Sequence, residues 1–161
     1  MPQKHKRTPS QLSAPQRKEP PVRPRWLQGA ADEPAGSHPS WKLSRLDLEH
    51  AGSWSWDVTG EDLREIVQFL GNMERSTWNE VRGQLASSKR ASHRKHHSIP
   101  VERLCSEAQR RLQDLKLDPD ELFGFRLSGS RRLWGAVDDK DGAFYVVWWD
   151  PDHQVYPLGR D

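Results

Sequence analysis

The sequence predicts an α+β domain in which N-terminal helices pack on a small antiparallel β-meander, preceded by a basic, proline-rich tail. Three observations carry this. Apolar residues recur at helical spacing between residues 60 and 115, then in strand-like runs after residue 120. Short Ser/Gly and Asp/Lys/Gly turns separate those runs. The first 39 residues hold eight of the twelve prolines.

Residues 1–39 place Ser, Gln, Ala and basic residues between those prolines. Such a segment cannot bury enough apolar surface to offset its conformational entropy, so the composition predicts disorder. In residues 1–25, seven Lys and Arg face the single acid Glu19, a charge of +6, and the other 18 basic and 22 acidic residues sum to −4. The pI near 8.8 is therefore a property of the tail, which adds weak electrostatic attraction to RNA.

The predicted domain covers 40–161. WKLSRLDLEHAGSWSW (41–56) reads as one short strand and an aromatic-rich loop. Thr59 offers an N-cap and Glu61 and Asp62 suit the first turn of a helix over 60–71, with Leu63, Ile66, Val67 and Leu70 on its face. A second helix over 76–86 opens at Ser76 or Thr77 and buries Trp78, Val81 and Leu85. SSKRASHRKHHS reads as a basic loop. Ser98 and Pro100 start a third helix with Val101, Leu104, Ala108, Leu112 and Leu115 inward, ended by Asp118-Pro119. The strands are 122–127, 131–137 and 143–149; the last is apolar on both parities, so it is covered on both faces or lies centrally in the sheet.

Cys105, the one cysteine, excludes an internal disulfide and reads as a small buried hydrophobe. Most of the eight tryptophans read as packing residues. No apolar run approaches the ~20 residues of a membrane span and no secretion signal opens the chain, so the expectation is a cytoplasmic protein without membrane contact.

In a tight meander the end of the third strand lies near the end of the first and the start of the second. Arg126 and Arg132 therefore meet His153 and Tyr156 at one end of the sheet. Cleaving RNA through its own 2′-OH needs a base, an acid and positive charge on the phosphorane, which histidine and arginine supply without a metal. Tyrosine can stack on a base or handle a proton. Arginines on a polar sheet face also suit a solvated or carboxylate-paired surface, and the residues alone leave both readings open.

A second cluster, Lys89, Arg90, His93, Arg94, Lys95, His96 and His97, suits RNA phosphates, with Arg131 beside it. On a helix, His93 and His97 would be spaced as a metal pair, but the surrounding cations and the lack of a carboxylate oppose a divalent ion. A solvated loop fits as well. One of these histidines would complement His153 as a general base.

The segment FRLSGSRRLWGAVDDKDGAFYVVWWDPDHQVYP (125–157) resembles the C-terminal half of the RelE/ParE/HigB-type toxin family. The resemblance implies helices on a small antiparallel sheet and, for the RelE branch, metal-independent cleavage of messenger RNA on the ribosome, restrained by a protein antitoxin and using no small-molecule cofactor. It assigns Arg126 to the basic position of the first strand, Arg132 to the phosphate-contacting arginine, His153 to the leaving group and Tyr156 to the near-terminal tyrosine. Arg131 stands where the family usually has tyrosine, and Trp134 and Gly135 alter the inner strand. A non-catalytic RNA- or protein-binding module on the same fold is the alternative.

Overall fold

The computed structural model describes residues 36–86, 93–138 and 140–157. The disorder expected of the tail concerns residues that, up to 35, lie outside the described ones. Residues 36–39 belong to the folded part: Pro39 is buried and the Ser37 carbonyl accepts the Trp78 N–H at 2.9 Å.

The elements run β1 (Ser40–Lys42), α1 (Gly60–Met73), α2 (Trp78–Gly83), β2 (Leu85–Ala86), β3 (His93–Arg94), β4 (His97–Pro100), α3 (Ser106–Asp114), β5 (Glu121–Arg126), β6 (Arg132–Val137) and β7 (Ala143–Asp150). The protein is α+β, and β5, β6 and β7 form the expected antiparallel meander. The sheet is larger and mixed, with five strands in the order β1-β7-β6-β5-β4. β1 joins β7 in parallel and β4 joins β5 antiparallel.

Both early helices open on capping boxes. The Thr59 hydroxyl accepts the Asp62 N–H while the Asp62 carboxylate accepts the Thr59 N–H, and Thr77 and Glu80 repeat the exchange. The buried face of α1 is rotated from the predicted one. Ile66, Phe69, Leu70 and Met73 meet the sheet, whereas Leu63 and Val67 are 52% and 59% exposed. The second helix stops at Gly83, so Leu85 lies on β2 and is exposed.

The third helix also differs from expectation. His97–Pro100 pairs with Glu121–Gly124 as an edge strand, where the missing proline N–H is tolerated. A single 3₁₀ turn, Val101–Arg103, leads to α3 at Ser106. The predicted face persists: Leu104, Ala108 and Leu112 are buried, with Leu115 and Cys105 partly buried against them.

Two apolar layers sandwich the sheet. On one side Phe123, Phe125, Leu133, Phe144 and Trp149 meet α1 and α2. The Phe125 ring lies edge-on to Phe144, Phe123, Phe69 and Trp41 at centroid distances of 4.9, 5.0, 5.6 and 5.7 Å. On the other side Leu122, Trp134, Ala136, Val147 and Trp148 meet α3 and Trp54.

A bulge in β7 permits this division. Trp134 pairs with Trp148 but Gly135 pairs with Val146, leaving Val147 as an extra residue. Val147 and Trp148 therefore face the same layer. The Val147 carbonyl accepts the Trp56 indole N–H at 2.8 Å and the Asp47 N–H at 3.1 Å, which anchors the aromatic loop. Asp47 is fully buried and accepts two hydrogen bonds from Arg111 on α3, at 2.7 and 2.6 Å, and one from the Trp148 indole at 2.9 Å. Burial pushes the Asp47 carboxyl up, but these partners outweigh it and hold it below the usual carboxylate range.

Candidate functional site

α3 covers only part of its sheet face. Beyond Trp134 the apolar surface ends in a pocket of about 380 Å³. Its floor is Gly124 and Arg126 from β5 with Arg132 and Trp134 from β6. His93, Arg94, Lys95 and His97 form one wall, and His153 and Tyr156 the other.

The floor follows from strand pairing. Gly124 lies directly opposite Trp134, and a Cβ there would come within 2.8 Å of the indole, so only glycine lets the ring lie across β5. Arg126 lies directly opposite Arg132. Their Cβ atoms are then about 5 Å apart, and opposed like charges destabilise a strand pair. Among the described residues lining the pocket none is a carboxylate, and Arg126 makes no ion pair. Arg132 donates to the Gly129 and Arg131 carbonyls at 3.0 and 2.9 Å. Burial, then the neighbouring Arg126 cation, push the Arg132 guanidinium down to about 10, while Asp150 acts the other way. Such a site favours an anion, which would offset the burial of Arg132 and its repulsion from Arg126.

The second wall is built by Asp150, which is fully buried at the end of β7. Its carboxylate accepts the Trp134 indole N–H at 3.1 Å and the backbone N–H groups of Gln154 and Val155 at 2.8 and 3.0 Å. One side chain thus fixes the floor and shapes the Asp-Pro-Asp-His turn. Within that turn His153 has φ 58°, a left-handed conformation that histidine adopts more readily than most residues. Burial and then Arg132 lower the His153 pKa, with Asp150 opposing. The Tyr156 ring meets His153 edge-on at 6.5 Å, and its hydroxyl accepts a hydrogen bond from Arg103 at 2.9 Å.

Four predicted residues, Arg126, Arg132, His153 and Tyr156, therefore share one pocket with His93, Arg94, Lys95 and His97. Two others do not. His96 is fully buried: its Nδ1 accepts the Arg126 N–H at 3.0 Å and its Nε2 faces the Gln84 side-chain oxygen at 3.2 Å. Burial, then the surrounding cations, push it down to about 3, so it is a neutral structural bridge instead of an RNA contact. Arg131 points away from the pocket to pair with Glu65 and Asp62 of α1, because adjacent strand residues face opposite sides. Lys89 and Arg90 lie outside the described residues.

His93 and His97 are on separate strands, so the helical metal pair does not form. Among the described residues no group of three or more His, Cys, Asp or Glu is placed to hold a metal ion. Sequence reasoning missed Gly124, Asp150 and Arg103. Only Gly124 carried a signal, since a glycine inside a strand marks a close approach.

Among the described residues no helix is long and apolar enough to cross a membrane. In comparisons with known proteins, no family model, curated protein or solved structure matches the chain.

Proposed function

We propose that the chain is a toxin-like, metal-independent endoribonuclease that cleaves messenger RNA by 2′-OH attack. The observation that carries this reading is the directly opposed Arg126 and Arg132, without a lining carboxylate, between two walls that bear imidazoles. The paired guanidiniums suit the two non-bridging oxygens of a phosphodiester and the extra charge of its phosphorane. In the reaction the O2′ proton passes to a base, O2′ bonds to phosphorus, the P–O5′ bond breaks and O5′ takes a proton. The products are a 2′,3′-cyclic phosphate and a 5′-hydroxyl. His153 supplies the proton to O5′, and Tyr156, braced by Arg103, orients the substrate.

The RelE-like resemblance adds action on ribosome-bound message, a cytoplasmic location and a protein antitoxin. A partner of that kind would cover the pocket with carboxylates. A non-catalytic RNA- or protein-binding module is the second reading. It is favoured by one feature: among the described residues no pocket imidazole is hydrogen-bonded to a carboxylate.

The test is controlled expression of wild type beside Arg132→Ala, with growth and RNA integrity followed together. Growth arrest with fragmented message in wild type, both absent in the variant and both persisting with chelator, is the expected result. Harmless expression of a folded wild type with intact RNA would leave the binding module.

A further inference from the structure

We infer that His97 is the general base that takes the 2′-OH proton, acting across the pocket from His153 as general acid. This deepens the ribonuclease reading and rests on it.

Strand pairing gives the order of groups across the pocket. His97 on β4 is the Cα partner of Gly124, Gly124 of Trp134, and Trp134 of Trp148. Two residues along lies the row Arg126, Arg132, Asp150. Neighbouring strands are about 4.8 Å apart and residues of one parity about 6.6 Å apart. His97 therefore projects on one side of the arginine pair, beside the Trp134 ring that lies over Gly124. His153 follows Asp150 and projects on the other side.

Displacement at phosphorus requires the attacking and leaving oxygens to lie roughly in line. A phosphate held by Arg126 and Arg132 would thus present O2′ to one imidazole and O5′ to the other. Two histidines on the same side could not serve both oxygens. His96 is excluded because both its ring nitrogens are engaged beneath the strand.

Position, more than surroundings, divides the roles. The charged groups facing His97 are His93 and Arg132, both opposing a proton, with burial acting in the same sense and an Arg94 backbone contact against it. Burial and then Arg132 lower His153 as well, with Arg126 and His97 in the same sense and only the Asp150 carboxylate favouring the protonated form. With His153 as the donor to O5′, the in-line geometry leaves O2′ to His97, whose lowered pKa keeps its ring free to accept a proton.

The test is single-turnover cleavage of a short message, free and on ribosomes, carrying either the natural 5′-oxygen or a bridging 5′-sulfur at one linkage. On the oxygen substrate, His97→Ala and His153→Ala should each lose about 10²–10⁴-fold. On the sulfur substrate His153→Ala should recover to within about tenfold of wild type, because a thiolate leaves without protonation, while His97→Ala should stay impaired. His97→Gln, with its melting temperature measured, separates lost chemistry from lost folding. Cleavage by both folded His97 variants within about threefold of wild type, or their rescue by sulfur, overturns the assignment alone. A folded wild type that cuts neither substrate overturns the ribonuclease reading, and this assignment with it.

Discussion

Arg131 and Arg132 are neighbours in sequence and opposites in circumstance. Arg131 turns to α1, where Glu65 and then Asp62 hold its charge firmly and raise its pKa. Arg132 turns to the pocket, where burial and Arg126 lower its pKa. Arg111 resembles Arg131, with two hydrogen bonds to buried Asp47. Among the described residues, carboxylates therefore neutralise arginines where these brace the fold, whereas neither arginine of the pocket pair makes an ion pair. Charge withheld from partners at one place, in a molecule that pairs charges elsewhere, marks that place for an external anion.

The comparison can be broken at either pole. The largest effect on stability should come from Asp47→Ala, which strands Arg111 and the Trp148 indole. A loss of about 3–5 kcal/mol is expected, read from denaturant midpoints. Arg132→Ala should instead reduce RNA cleavage about 10²–10³-fold without lowering the melting temperature, and a folded variant that cuts as wild type does would dissolve the contrast.

Acid sharpens the contrast next. His96, His97 and His153 all have folded-state pKa values below the ordinary histidine value, His96 at about 3. The unfolded chain then binds more protons, so stability is complete above about pH 6.5 and falls below it, approaching roughly 1.4 kcal/mol per pH unit for buried His96, with smaller, solvent-screened contributions from His97 and His153. The lowered carboxyls of Asp47, Asp62, Glu65 and Glu80 start from ordinary values of 4.5 or less and act only in stronger acid. Melting temperatures that stay level between pH 7 and 5 would contradict the histidine contribution. Added polyphosphate should soften the fall, because a bound anion favours the protonated rings of His97 and His153.

Arg126→Gln removes one of two opposed cations and should raise the stability of the free protein by about 0.2–1 kcal/mol. It should also shrink the melting-temperature gain from polyphosphate; an unchanged gain would show that the pair does not hold the anion. The smallest effect is expected from Arg131→Ala, a loss of about 0.2–1 kcal/mol that fades in high salt, with cleavage within about threefold of wild type.

The meander was legible because each apolar run is bounded by turn residues. Tight hairpins also made the meeting of Arg126, Arg132 and His153 readable before any coordinates. The edges were not. β1 pairs with β7 across about a hundred residues, a contact that no local pattern encodes. Ser98-Ile99-Pro100 carries the chemistry of a helix start as well as that of an edge strand, and pairing with β5 decides between them. Nor could sequence distinguish His96 from its neighbours. Its ring enters the interior because β4 packs there, beside Phe69 and Phe125.

The extra residue in β7 sets a limit on how this chain can change. Without Val147 the strand would regain a strict two-residue alternation that keeps Trp148 and Asp150 in their present layer, because Val146 would still face Gly135 and Trp148 would still face Trp134. What would go is the carbonyl that accepts the Trp56 indole and the Asp47 N–H. Loss of this one codon should therefore unpin the aromatic loop while the pocket end of the strand stays in register, whereas a substitution there keeps that carbonyl and is the milder change.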